Sequence, residues 1–184
     1  MREAIRTGSR RYTSDFLGWL HPPICHLQGM SVSAPARSYP NRRAREYLSM
    51  AASYGDAAKV VSEHAPESQA IERPLFQLIA HALELSLKAA LSHQGRDEEW
   101  LMMMGHSLER CYAQALRGGL YSARDRTMDM LIEALDQPHA LQLFRYPQSS
   151  SWTAPDRNAA IQAMAGHLGL VRSYIYDPAQ DDCC

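Results

Sequence analysis

The sequence predicts an all-α protein, a single bundle of about five helices, and three observations carry that prediction. Apolar residues recur at steps of three and four along five segments of the chain. No segment alternates apolar and polar residues with period two, as a half-buried strand would. A length of 184 residues, 46% hydrophobic and 21% charged, suits one domain with a sizeable core.

Residues 1–40 hold no sustained periodicity, and Ser31 to Pro40 is a Ser/Pro/Ala stretch. This part reads as an upstream extension and linker, or a disordered arm. The apolar run Phe16 to Leu20 is too short for a signal-peptide core, and His21-Pro22-Pro23 ends it. An extension over residues 1–29, with the working protein starting near Met30, is the favoured reading. An Arg-rich transit peptide is the other.

The helical domain is expected over residues 41–176. Its first helix runs from about Asn41, a natural N-cap after Pro40, to His64. Ala44, Tyr47, Ala51, Tyr54, Ala58 and Val61 form its face. The second runs from about Glu67 to Gln94 and stops at Gly95. It is apolar nearly all round, which marks a central helix covered by neighbours. Pro74 falls near its start, where a missing N–H costs least. The third spans about His106 to Arg117 and ends at Gly118-Gly119. The fourth spans about Ala123 to Leu135 and ends before Pro138. A long loop is expected over 137–155, which holds Pro138, Pro147 and Pro155. The fifth helix starts at Asp156 and carries Ile161, Met164, Leu168, Val171 and Ile175. Residues 177–184 read as a disordered acidic tail.

Composition excludes several classes. Nineteen basic residues face twenty acidic ones, so the chain as a whole is not a polycation, and any RNA or nucleotide contact must be local. No run approaches the ~18 apolar residues of a membrane span. Cys25, Cys111, Cys183 and Cys184 form no C-x-x-C pair and no disulfide framework, so a reducing cytoplasm is expected. Asp181 and Asp182 argue against a prenylated Cys-Cys end.

Three features could carry chemistry. Gln77, His81, Glu84 and Lys88 form a narrow polar stripe on the apolar second helix. Glu84 and Lys88 stand at i, i+4, the favoured order for an ion pair. The stripe is either a solvated strip or the lining of a cleft, since buried charges need partners. Gly105-His106-Ser107-Leu108 opens the third helix, whose N-terminal N–H groups would suit an anion; His106 could also serve as a cap. Phe144-Arg145-Tyr146-Pro147 offers an Arg for phosphate and a Tyr for stacking. The plainer reading pairs Arg145 with Glu84. No metal and no cofactor are assigned. His81-x-x-Glu84 inverts the Glu-x-x-His order of di-iron bundles and has no second copy, and His21, Cys25 and His26 have only loose metal-like spacing.

In order and spacing these segments resemble the HEPN superfamily. The likeness rests on His81-Ala82-Leu83-Glu84-Leu85-Ser86-Leu87-Lys88-Ala89-Ala90-Leu91, then Gly95, then Gly105-His106-Ser107-Leu108-Glu109, then Phe144-Arg145-Tyr146-Pro147 ahead of a last long helix. It implies a helical bundle, nucleotide or RNA as partner, and homodimers. Members that are toxins of toxin–antitoxin systems are metal-independent ribonucleases with an Arg and a His a few residues apart on the last helix. Here Arg157 and Asn158 begin that helix, but the next histidine is His167. Ten helical residues rise about 15 Å and turn to another face, so the two cannot share a phosphate. The expectation is a catalytically silent HEPN-like domain in which Glu84, Lys88, His106 and Arg145 converge, with His81 and Tyr146 beside them. Such a cleft would hold a phosphate-bearing ligand or be a structural ion network. Two alternatives stand beside it: a ribonuclease with a rearranged site built on His106 and Arg145, and an interaction or dimerisation module using Trp152.

Overall fold

The computed structural model describes residues 42–64, 69–146 and 152–176. Among them are six α-helices, two 3-10 turns and no strand. The protein is an all-α bundle. The expected Asn41 cap, the arm over residues 1–40 and the tail over 177–184 lie outside the described residues.

Helix α1, Arg42–His64, buries Ala44, Leu48, Ala51, Gly55 and Ala58, one face at steps of four and three. Gly55 lies where α1 meets the last helix: a Cβ there would stand 2.8 Å from Leu168 Cδ1. Helix α2, Glu72–His93, follows a 3-10 turn at Gln69–Ile71. It packs against α1 and against every later helix, so it is apolar on all sides for the reason the sequence suggested. By length and composition α2 could cross a membrane, but 78% of that apolar window is buried inside the protein. Leu75, Ile79, Leu83, Leu87 and Leu91 are wholly buried. Burying each such side chain favours folding by roughly 1.5–3 kcal/mol. The helix ends at Gly95, whose φ of +85° lets its N–H reach Ser92 O while Arg96 N–H reaches Leu91 O.

Helix α3, Glu98–Met103, is the one the periodicity did not show. Asp97 caps it by accepting from Trp100 N–H, and an Arg43–Glu98 ion pair holds it to α1. Helix α4, Leu108–Arg117, is capped by Ser107. A 3-10 turn at Tyr121–Ala123 leads to α5, Arg126–Ala140, capped by Asp125.

Helix α5 corrects the expected boundary. It does not stop before Pro138 but runs through it to Ala140, so the supposed loop over 137–155 begins later. Proline lacks the N–H that would bond the carbonyl four residues back, here Ala134. Trp152 replaces that donor: its Nε1–H reaches Ala134 O at 3.0 Å. The helix then closes with Gln142 at φ +57°, Gln142 N–H on His139 O and Leu143 N–H on Pro138 O. Trp152 also packs edge-on against Phe76 and Phe144, with ring centres 5.2 and 5.0 Å away. Its side chain is therefore engaged by the fold.

Helix α6, Arg157–Tyr176, packs on α2 and α1. Arg157 pairs with Glu72 at 3.6 Å, and His167 is buried deep in the bundle.

Candidate functional site

The polar centre of the molecule is Glu84. Its carboxylate, with 3% of the side chain exposed, sits on a helix otherwise filled with Leu and Ala. A charge there must be paired. Lys88, one turn on, donates to Oε1 at 2.6 Å. His106, just before α4, donates from Nδ1 to both oxygens at 3.2 and 3.1 Å. His139, in the last turn of α5, donates from Nε2 to Oε2 at 2.7 Å. His81 Nδ1 lies 3.6 Å from Oε2, close enough for an ionic contact but beyond a hydrogen bond. Tyr54 of α1 meets the His81 ring edge-on at 4.4 Å.

Burial alone would raise the Glu84 pKa. The hydrogen bond from His139, the close approach of His81, and the hydrogen bond and charge of Lys88 outweigh it and hold the carboxyl well below its ordinary range. Glu84 is thus ionised, and it faces one ammonium and three imidazoles.

The cluster is graded from inside to outside. The side chain of His139 is 2% exposed, Lys88 13%, His81 18% and His106 42%. The surface is reached through His106. Within the cluster two ring nitrogens are buried without a hydrogen-bond partner, His81 Nδ1 and His139 Nδ1, as is Gln77 Oε1 further up the stripe.

Of the residues expected to converge, Glu84, Lys88, His106 and His81 meet. Arg145 and Tyr146 do not join them. Arg145 is exposed on the turn after α5 and forms no ion pair with Glu84, and Tyr146 is exposed beside it. The place imagined for Arg145 against the carboxylate is taken by His139. The expected anion site at the start of α4 is also occupied from within. Asp136 of α5 accepts from Ser107 Oγ and from Glu109 N–H, both at 2.9 Å, while Ser107 Oγ accepts from Arg110 N–H. A side-chain carboxylate already sits where a phosphate was expected.

A cavity of about 470 Å³ runs between α1 and α6 past Arg45, Lys59 and Arg172, away from Glu84, Lys88, His81 and His106. Cys111, beside the centre of the bundle, is buried, and burial pushes its thiol up to about 11, so it is no nucleophile near neutrality.

Comparison of the chain with protein-family models, with curated proteins and with solved structures finds no match.

Proposed function

We propose that this chain is a catalytically silent, HEPN-like binding module for a phosphate-bearing ligand, a nucleotide or a segment of RNA, and that the ligand is held at His106. One observation carries the reading. The most exposed group of the cluster, His106, is oriented from behind by a buried carboxylate, which takes the Nδ1–H and, in the doubly protonated ring, leaves Nε2–H to donate to a phosphate oxygen. Lys88 adds positive charge behind the ring, and Glu84 sets the direction of both. Arg145 and Tyr146, exposed on the turn that follows α5, stand outside the cluster and would reach only the far end of an extended ligand. The order His81, Glu84, Lys88, Gly105-His106 and Arg145-Tyr146 supports the family likeness.

The test is a thermal-shift titration with inorganic phosphate, with ATP and GTP, and with short RNA. A ligand that binds the folded state raises the melting temperature. The expected result is a rise that His106→Ala abolishes and Arg145→Ala reduces. No rise with any of these probes, or an undiminished rise in His106→Ala, overturns the reading. Cleavage of the RNA would instead identify the ribonuclease alternative.

A second reading is favoured by a different observation. Both oxygens of Glu84 already have partners within the chain. On that reading the cluster is an ionic latch joining α2, α4 and α5, and no probe shifts the melting curve.

A further inference from the structure

We infer that His81, Glu84 and His139 form a binding site for one divalent transition-metal ion of the zinc type, with a solvent molecule completing the shell on the side facing His106. The inference goes beyond the phosphate reading, and its test uses the metal alone.

The donor set is the first argument. Imidazole nitrogen and carboxylate oxygen are the ligands zinc takes beside thiolate, whereas calcium and magnesium take oxygen. One ligand atom from each of His81, Glu84 and His139 lies within 4.8 Å of the others. Around a tetrahedral zinc with bonds near 2.0–2.2 Å, ligand atoms stand roughly 3.4 Å apart. The separations from Glu84 Oε2 bracket that value: 2.7 Å to His139 Nε2 and 3.6 Å to His81 Nδ1.

The second argument is how the two oxygens of Glu84 are used. Oε1 is held by Lys88 at 2.6 Å, while Oε2 faces His139 and His81. A metal-bound carboxylate is ordinarily steadied in this way by an outer hydrogen bond on its other oxygen.

The third is the unfilled bonding capacity of His81. Its Nδ1 is buried, faces Glu84 Oε2 at 3.6 Å and has no hydrogen-bond partner, so it is open to an additional species. The protein donors come from two helices packed on each other, α2 and α5, which hold such a shell better than loops do.

The experiment is a titration of the full-length chain, freed of metal with a chelator, using zinc(II) and cobalt(II) without phosphate. The expected result is one ion per chain, visible cobalt d–d bands of a four-coordinate nitrogen/oxygen site, and a raised melting temperature. His81→Ala and His139→Gln should each lower affinity by roughly tenfold to a hundredfold or more, while His64→Ala, on exposed α1, should leave it unchanged. Far-UV circular dichroism checks that each variant is folded. If His139→Gln does not fold, His81→Ala decides, because that ring lies nearer the surface. Absence of stoichiometric binding by the wild-type chain, or binding that survives His81→Ala, overturns the inference. Phosphate binding without metal binding would leave the function proposed above standing alone, and the converse would leave only the metal site.

Discussion

Trp152 donates its indole N–H to the carbonyl of Ala134, the group that Pro138 leaves without a helical partner. The tryptophan comes from the segment before α6 and repairs a gap in α5. This predicts coupling. Trp152→Phe keeps the aromatic packing on Phe76 and Phe144 and should cost about 1–3 kcal/mol for the stranded carbonyl. In a Pro138→Ala background the backbone N–H returns, and the same change should cost clearly less. Urea unfolding of the four variants in a double-mutant cycle measures the difference. Strict additivity would show that the bond carries no weight.

Glu84→Gln removes the charge at constant shape. Lys88 then stays largely buried without its counter-ion, and the expected loss of stability is about 3–5 kcal/mol. Adding Lys88→Met removes the stranded ammonium and should recover part of that loss. Equilibrium unfolding reads both steps. A double variant no better than Glu84→Gln would mean the damage comes from the imidazoles and not from Lys88.

His167 sets an acid limit on stability. It is buried on α6, neither ring nitrogen has a hydrogen-bond partner, and burial lowers its pKa from 6.5 to about 4. The folded chain therefore keeps this ring neutral where the unfolded chain protonates it. Between those two values the unfolded state binds more protons, so stability falls as the pH drops from 6.5 towards 4. The full contribution is on the order of 3 kcal/mol. His167→Leu should flatten this part of the pH dependence, measured by unfolding at a series of pH values. An unchanged slope would place the acid sensitivity elsewhere.

Gln142 ends α5 with a left-handed backbone, φ +57°. That conformation costs a side-chain-bearing residue about 1–2 kcal/mol, and glycine adopts it freely. Gln142→Gly should raise stability by about 0.5–1 kcal/mol, after the greater flexibility of glycine in the unfolded chain is offset. A thermal melt suffices to check it, and a lower melting temperature would contradict it.

These residues also show how far the sequence could be read. Glu84, Lys88 and His81 were legible because one helical period fixes their spacing, and Gly95 announced the end of α2. His106 stood out through Gly105 and Ser107. His139 did not, because its meeting with Glu84 spans 55 positions and follows a proline that looked like a stop. What keeps the helix going is Trp152, a tertiary contact that no local pattern announces. Arg145 was chosen for its chemical suitability, but suitability does not place a side chain. The six residues of α3 are too few to show a period, although Asp97 followed by Glu98 and Glu99 is a helix start signal.

The carboxylate in the middle of the bundle has partners at very different distances along the chain. Lys88 is four positions away and is in place as soon as α2 winds, His106 is 22 away, and His139 is 55 away. The charge is therefore never bare while the core closes around it, because its first companion travels with it. Loop closure makes the distant partners late arrivals. Changes at Lys88 should then slow folding, and changes at His139 should chiefly hasten unfolding. The centre of this protein records the order in which its parts come together.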